Sequence, residues 1–322
     1  MNTIGRINHQ IKGRLRQLSS LTVLPSVFKN CAVLRAFRKR VGGEVSVILL
    51  YEHIGDIIAC EPVSRYLKGL KTNVVWVVSK KYQELPRMFR DVDLVLPVSS
   101  ISEVFYLKVL LKHYYIYNLH FDGRFCHRYF LSLHNSNKKY TLQNYYHFGS
   151  ILETFSEVAG LPRLKEKPQL VLTNEDRFPE MSDGFVTIQV ESNEDCRMWD
   201  LSKWEQLIAA NPQVTFVEIG LQPHFGHIKN CNGSYCGRLS LTDIAYMMRK
   251  SALFIGIDSS GAHYANALDV PSIILLGQYR DFSHYNPYAV HGPGFKVLYR
   301  TNLNDISVDS VQAEMQKVIR HF

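Results

Sequence analysis

Apolar runs alternate with amphipathic segments along the first half of the chain. The runs at residues 44–51, 73–79, 94–98 and 115–121 are of the kind that forms strands buried on both faces. The segments between and after them predict a helix that follows Asp56 and runs to residue 70, and further helices at residues 82–89, 103–113 and 144–160. Strands that alternate with helices predict a parallel sheet covered on both faces.

The second half repeats this pattern after a short charged segment, residues 161–168, which is flanked by prolines and predicts a linker. Strands are predicted at residues 185–191 and 214–220, and a last helix at residues 308–322. Two helix starts carry the capping-box pattern, Ser202 with Glu205 and Ser240 with Asp243. The prediction is an α/β protein with two doubly wound domains, residues 44–165 and 166–322, behind a leader of residues 1–43.

Residues 252–277 (ALFIGIDSSGAHYANALDVPSIILLG) form the most informative unit. Two apolar runs predict buried strands, and a polar turn, residues 258–261, leads from the first strand into a helix at residues 262–268. A turn at the carboxyl end of a strand and the amino end of a helix offers free backbone N–H groups to an anion. The pattern predicts a diphosphate site; the alternative is ordinary helix capping by Asp258, Ser259 and Ser260.

The leader differs from the rest of the chain in charge. Residues 1–43 hold nine of the 37 Lys and Arg and no Asp or Glu, while the remaining 28 face all 29 acidic residues. Isoleucines and leucines recur at helical spacing: Ile4, Ile7, Ile11, Leu15 and Leu18. A basic amphipathic helix of this kind lies on an anionic membrane surface, or packs its apolar stripe on the body.

Composition excludes several other classes of protein. The near-neutral body argues against a nucleic-acid partner, because such proteins usually carry their basic charge on the folded domain. Six cysteines without a disulfide or zinc spacing indicate reduced thiols, and neither a spanning helix nor a signal peptide is evident. We therefore expect a cytoplasmic protein, peripheral on the inner face of the membrane if the leader binds lipid.

The motif Asp258-Ser259-x-x-x-His263, followed by an Ala/Leu-rich helix, Pro271 and a strand ending in Gly277, resembles the nucleotide-sugar motif of the heptosyltransferases, glycosyltransferase family 9. The better-known form has Gly two residues after the Asp; here Ser260 holds that place and Gly261 follows. The resemblance implies a GT-B fold, with two Rossmann-like domains facing a central cleft. It implies donor contacts from Asp258, Ser259, Ser260, Gly261 and His263.

Three further matches extend the resemblance along the chain. Gly55-Asp56 stands where the family has its general base, and a carboxylate there would deprotonate an acceptor hydroxyl; helix capping is the alternative for Asp56. Arg197, two residues before Trp199, stands where the family has a Lys near the donor phosphates, and it keeps the charge. Trp199 and Trp204 are interpreted as packing residues.

Two groups of polar residues complete the predicted site. Glu218 and Gly220, at the end of the 214–220 strand, are placed for the donor nucleoside, or Glu218 is a solvated strand end. On the acceptor side the family has a polar loop where this chain has Asp122, Arg124 and Arg128, although two arginines four apart also suit a solvated helix face.

The predicted function is inverting transfer of a heptose or related sugar from a nucleoside-diphosphate donor to a cell-surface glycan acceptor such as lipopolysaccharide core. Charge on the departing diphosphate would be met by Arg197, Ser259, Ser260 and the amides around Gly261. No cofactor is expected, and the reaction is expected to be independent of metal. Alternatives are a nucleotide-sugar epimerase or hydrolase, which would turn over donor without acceptor, and a non-catalytic nucleotide-sugar-binding protein.

Overall fold

The computed structural model describes residues 19–126, 131–181, 184–192, 194–280, 282, 286–288, 290–292 and 294–319. Contacts divide the chain into two compact units. The first comprises the described residues up to His53 together with Cys60–Tyr145 and Glu153–Leu164. The second comprises Ile54–Ala59, Tyr146–Leu152 and the chain from Lys165 onward.

The first unit is built on a four-stranded parallel sheet. The strands are β1 (Val45–Leu49), β2 (Asn73–Ser79), β3 (Leu94–Val98) and β4 (Tyr115–Asn118), in the order β3-β2-β1-β4. Every residue of β1 is buried because this strand is central, with Val47 paired to Val75 on one side and to Ile116 on the other. The predicted parallel sheet is confirmed. A short antiparallel hairpin follows it, β5 (Arg124–Cys126) and β6 (Leu131–Leu133).

Six helices lie within the described first half of the chain: α1 (Leu24–Val41), α2 (Ile54–Ala59), α3 (Glu61–Gly69), α4 (Glu84–Arg87), α5 (Ile101–Leu110) and α6 (Ile151–Val158). Where the sequence predicts one helix from after Asp56 to residue 70, the structure has two, and the first already begins at Ile54. Pro62 explains the break, because its ring carries no N–H and fits only the first turn of α3.

Helix α1 belongs to the core of the first unit, although the sequence groups it with the leader. Val27, Cys31, Leu34 and Phe37 recur on one face and pack among the side chains of the sheet. The helix ends at Gly42, whose left-handed conformation (φ 63°) lets its N–H donate to the carbonyl of Arg38. The stripe from Ile4 to Leu18 lies outside the described residues.

The second unit contains a six-stranded parallel sheet in the order β12-β11-β10-β7-β8-β9. Its strands are β7 (Val186–Gln189), β8 (Phe216–Glu218), β9 (Cys231–Asn232), β10 (Leu253–Ile257), β11 (Ser272–Leu276) and β12 (Phe295–Tyr299). Its helices are α7 (Leu201–Ala209), α8 (Leu241–Lys250), α9 (Ser260–Ala267) and α10 (Val308–Ile319). The sequence analysis did not predict β9 or β12.

Two buried tryptophans fill the core of this unit, as predicted. Trp199 and Trp204 meet edge to face with ring centroids 5.1 Å apart. Trp199 also donates from Nε1 to the carbonyl of Ile306 at 3.0 Å. This bond joins the segment before α7 to the segment before α10.

The two predicted capping boxes have different outcomes. Ser240 forms the full box with Asp243 at the start of α8. The box at Ser202 is wrong, because α7 begins at Leu201 after Asp200, so Ser202 already lies inside the first turn. Within the described ranges, no helix is both long and apolar enough to cross a membrane.

The packing of α1 can be tested with two adjacent positions. Leu34→Ala removes a fully buried side chain and should lower the free energy of unfolding by about 2–5 kcal/mol, through lost burial and the cavity left behind. Val33→Ala is the control, since Val33 is 39% exposed and its truncation should cost little. Urea unfolding measures both. Equal, small losses would show that α1 does not pack on the sheet.

Candidate active site

The strand order of the second unit creates a crevice between β7 and β10. From β7 the chain runs outward through β8 and β9; it then returns to β10 on the other side of β7 and continues through β11 and β12. Ligands of open parallel sheets bind where the order reverses in this way, beyond the carboxyl ends of the strands. Gln189 ends β7 and Asp258 follows β10, so both lie at this point.

Gln189 holds the turn that leads into α9. Its Oε1 accepts a hydrogen bond from Ser259 Oγ at 2.6 Å and another from the Gly261 N–H at 2.7 Å. A Cβ on Gly261 would lie 2.5 Å from Gln189 Oε1 and 2.7 Å from Phe254 Cζ, so close packing requires glycine here. A diphosphate oxygen that bonded to Ser259 and Gly261 would have to replace Gln189.

A partly buried ion pair lies beside this turn. Arg197, from a 3-10 helix at Asp195–Arg197, donates from Nη1 to Asp258 Oδ2 at 3.2 Å. The Arg197 guanidinium also lies over the ring of Tyr279, 5.0 Å from its centroid. The Asp258 side chain is 5% exposed, and the Tyr288 hydroxyl donates to its Oδ1 at 3.3 Å. Arg197 is therefore held by a carboxylate and an aromatic face.

Burial and charge perturb the ionisation of every member of this cluster. Burial raises the pKa of Asp258, and the Arg197 guanidinium opposes that rise. Burial lowers the pKa of Arg197, but the Asp258 carboxylate outweighs it, and the net shift is upward. Burial raises the pKa of Tyr279 to about 12 and that of Tyr288 well above its ordinary value. Clustered perturbed groups of this kind mark functional sites more often than random surface.

The Arg197 guanidinium keeps an unused donor. Its Nε is buried and has no hydrogen-bond partner among the described residues. An unpaired buried N–H costs about 1–3 kcal/mol, so such a group calls for a functional explanation. An acceptor oxygen from a ligand would satisfy it.

His263 links α9 to helix α2, which comes from the far end of the sequence. A Cβ added to Gly55 would lie 2.7 Å from Cδ2 and 2.8 Å from Nε2 of His263, so α2 packs with its glycine against the imidazole. Burial, together with the nearby Arg197 guanidinium, lowers the pKa of His263 to about 3, so the ring is neutral at pH 7. Asp56, half-buried in the first turn of α2, thus belongs to the same compact unit as the Asp258 turn.

Glu218 anchors a loop rather than facing an open crevice. It is fully buried, and its carboxylate accepts from the backbone N–H groups of His224 and Phe225 at 2.9 and 3.1 Å. The alternative of a solvated strand end is therefore wrong. A contact between Glu218 and a donor nucleoside stays a prediction, and it would require this loop to open.

Glu191 lies two residues beyond Gln189, the last residue of β7, and the sequence analysis did not single it out. Its carboxylate is a quarter exposed and accepts from the Leu221 N–H at 2.8 Å and from His224 Nε2 at 3.0 Å. A Cβ on Gly220 would lie 2.9 Å from Glu191 Oε2. Gly220 (φ 157°) therefore admits the Glu191 carboxylate to the loop.

The predicted acceptor residues lie in the first unit, and two of them can be described. Asp122 accepts from the Asn135 N–H at 2.9 Å and forms an ion pair with Lys138 at 2.6 Å; this bond from Lys138 is the main reason that its pKa falls to about 2. Arg124 forms an ion pair with Glu52. Arg128 lies outside the described residues.

The end of the first sheet carries a second polar group that the sequence analysis missed. His120 accepts from the Tyr51 N–H at Nε2, 3.0 Å away, and its Nδ1 lies 2.9 Å from Asn118 Oδ1. Burial lowers the pKa of His120 to about 3, so the neutral ring donates from Nδ1 to Asn118. His120 thereby fixes the backbone that leads from β1 to Glu52 and His53.

Comparison with known proteins identifies the family. The sequence model of glycosyltransferase family 9 (heptosyltransferase) matches residues 123–292, more than half of the 322 residues. The chain belongs to glycosyltransferase family 9. It is therefore a glycosyltransferase of heptosyltransferase type. Among curated proteins, none matches the sequence significantly.

Solved structures share the fold of this family 9 member at low sequence identity. The ADP-heptose LPS heptosyltransferase II of E. coli superposes with a TM-score of 0.67 at 15% identity, covering 87% of this chain and 99% of that one. A family 9 glycosyl transferase from Veillonella parvula gives 0.66 at 16%, with 87% and 98% covered. The E. coli heptosyltransferase WaaC with ADP gives 0.58 at 14%, with 85% and 99% covered. The fold is of the GT-B type.

Within the described residues, the family 9 chain contains no group of three or more His, Cys, Asp or Glu side chains that could hold a metal ion. All six cysteines are free thiols. Burial raises the pKa of Cys231 and Cys236 to about 12, so both are protonated and unreactive at pH 7.

The contact between Gly55 and His263 can be tested by a double-mutant cycle. Gly55→Ala drives a methyl group into the imidazole and should cost about 1–3 kcal/mol of unfolding free energy. In the double variant with His263→Ala, the imidazole no longer occupies the space of the added methyl group. The loss of unfolding free energy in the double variant should therefore be smaller than the sum of the two single losses, by about 0.5–3 kcal/mol. Chemical unfolding of the four proteins measures this coupling.

Gly69→Ala is the matched control, because Gly69 is also helical but a Cβ there meets nothing within 4 Å. This change should be neutral or slightly stabilising. Strictly additive losses at Gly55 and His263 would show that α2 does not pack against α9 through this pair.

Proposed function

We propose that this enzyme moves a heptose or related sugar from a nucleoside-diphosphate donor to a cell-surface glycan acceptor such as lipopolysaccharide core. The observation that carries the proposal is the Arg197–Asp258 pair, which lies at the strand-order reversal of the second unit together with the helix that bears Asp56. Such a site offers a fixed cation to a diphosphate and a carboxylate to an acceptor hydroxyl.

The donor binds at the turn between β10 and α9 in this proposal. Arg197 faces the diphosphate, and its buried Nε, which lacks a partner among the described residues, gains an acceptor. Ser259, Ser260 and the Gly261 amide add neutral donors once Gln189 yields its two bonds. His263 is neutral, so it can donate a hydrogen bond without adding charge to the site.

The proposed chemistry is a single inverting displacement. Asp56 takes the proton of the acceptor hydroxyl while the oxygen attacks the anomeric carbon of the donor sugar. The bond from that carbon to the diphosphate oxygen breaks, and the nucleoside diphosphate leaves with the bonding electron pair. Negative charge grows on the leaving oxygen, where the Arg197 guanidinium is already in place. The reaction as proposed needs no cofactor.

Acceptor recognition is assigned to residues 44–165 and donor recognition to residues 166–322. Asp122, Arg124 and Arg128 remain the proposed acceptor contacts. The ion pair of Arg124 with Glu52 supports a role in which acceptor phosphate or carboxylate groups compete with Glu52 for the guanidinium. Residues 1–43 would hold the enzyme on the inner face of an anionic membrane, where a glycolipid acceptor is available.

The role of Asp56 can be tested by Asp56→Asn, which keeps the shape of the side chain and removes the base. Turnover should fall by about 10²–10⁴-fold, measured as nucleoside diphosphate released from ADP-heptose in the presence of lipopolysaccharide core acceptor. Stabilisation of the protein by ADP should stay near the wild-type value.

Asp305→Asn, at an exposed acidic residue of the second unit, is the control and should leave turnover unchanged. Near-normal turnover in Asp56→Asn would remove Asp56 from the mechanism. Donor breakdown by the wild-type enzyme at the same rate without acceptor would favour a hydrolase over a transferase.

A further inference from the structure

Helix α1 is apolar on two opposite faces. Its inner face packs on the first sheet through Val27, Cys31, Leu34 and Phe37. We call the opposite side its outer face; together with the short 3-10 helix before it, this face exposes Leu21, Pro25, Phe28, Ala32, Val33 and Ala36. Phe28 is 58% exposed and Leu21 is 48% exposed. A surface helix normally turns charged and polar residues to water, so an apolar outer face indicates a contact surface.

Cations surround this outer face, mainly at its carboxyl end: Lys29, Arg35, Arg38, Lys39 and Arg40. In the part of the chain that the structure describes, none of the five forms an ion pair with an acidic side chain. Residues 1–43 contain no Asp or Glu to neutralise them. The outer face therefore combines exposed hydrocarbon with a local excess of five positive charges.

The basic end of the helix also forms an open groove. Arg35, Arg38 and Lys39 line it together with Gly42, Gly43 and Tyr114, and its volume is about 570 Å³. The Arg38 guanidinium lies 5.2 Å from the centroid of the Tyr114 ring, which orients it along the groove. A phosphate group with its glycerol backbone fits the size and charge of such a groove.

Exposed apolar side chains next to cations favour one class of binding partner over the others. A second copy of the same face would bring five cations against five cations, which opposes association. Nucleic acid would use the cations but leave Leu21 and Phe28 in water. An anionic bilayer uses both, since apolar side chains enter the acyl boundary while Lys and Arg meet lipid phosphates.

We propose that the outer face of α1 docks the enzyme on an anionic phospholipid bilayer, with Leu21 and Phe28 inserted and Arg35, Arg38 and Lys39 at the headgroups. The inner face keeps α1 on the first sheet, so docking requires no unfolding. The surface is distinct from the Ile4–Leu18 stripe. Docking on the bilayer depends on the proposed function only for its biological purpose, because lipid binding is measured without donor or acceptor.

Vesicle sedimentation of the full chain tests this proposal. The wild type should bind vesicles of phosphatidylcholine with phosphatidylglycerol, ignore pure phosphatidylcholine, and release as salt screens the attraction over about 8 Å. Arg35→Gln with Lys39→Gln should weaken binding about 25-fold, at about fivefold for each basic residue near the surface. Phe28→Ser should weaken it by about tenfold or more.

Two controls lie in the second unit: Lys229→Gln removes an exposed charge, and Val171→Ser removes an apolar side chain that is 45% exposed. Both should bind as the wild type does. The proposal is overturned if the wild type ignores phosphatidylglycerol at low salt. It is equally overturned if the α1 variants bind like the wild type, which would assign binding to the Ile4–Leu18 stripe.

A measurement without lipid tests the remaining alternative, in which a second copy of the chain covers the outer face. Analytical ultracentrifugation of the wild type should show no self-association that Phe28→Ser abolishes. A dimer that dissociates on this substitution would make the outer face a protein interface and would overturn the lipid proposal. ADP binding by every variant should be unchanged, so a failure here is distinct from a failure of the proposed transfer activity.

Discussion

The candidate site depends on one desolvated ion pair, Arg197 with Asp258. Strand β10 is buried on both faces, so the carboxylate that follows it is withdrawn from water. A buried carboxylate is costly unless a cation and hydrogen-bond donors compensate it, and here the Arg197 guanidinium and the Tyr288 hydroxyl do so. Arg197 is held by the Asp258 carboxylate and by the face of the Tyr279 ring, and its buried Nε has no hydrogen-bond partner among the described residues.

The same arrangement couples the two ends of the sequence. His263, on the helix that follows Asp258, packs against Gly55, and Asp56 is the next residue along α2. The proposed base is therefore positioned by the helix that carries the proposed donor turn. A glycine before the acidic residue is needed for a steric reason, since any side chain at residue 55 would collide with the imidazole.

Much of the fold could be predicted because a central strand of a parallel sheet must be apolar on both faces, as β1, β2, β10 and β11 are. Other features depend on contacts that local pattern does not encode. The sequence analysis assigns helix α1 to a charged leader, because its lysines and arginines dominate the pattern. The buried positions Val27 and Leu34 on its other face are therefore missed. In the site, Gln189 contacts Ser259 because of the strand order, and Tyr288 contacts Asp258 because of the loop packing; neither contact is visible in local sequence. Glu218 is predicted as a site residue from its strand-end position, although the loop at His224 covers it.

Nucleotide binding by the wild type and two Arg197 variants tests the central claim most directly. Calorimetry with the nucleoside diphosphate that stabilises the wild type most, and with its nucleoside, should show that Arg197→Ala loses about tenfold or more of the diphosphate affinity and little of the nucleoside affinity. Arg197→Lys keeps a cation beside Asp258, so its affinity should lie between those of the wild type and Arg197→Ala. Arg280 is an exposed neighbour over the Tyr279 ring, and Arg280→Ala should change the affinity little. Equal losses for both ligands, or no loss of nucleoside diphosphate binding, would contradict the assignment of the Arg197–Asp258 pair to the diphosphate.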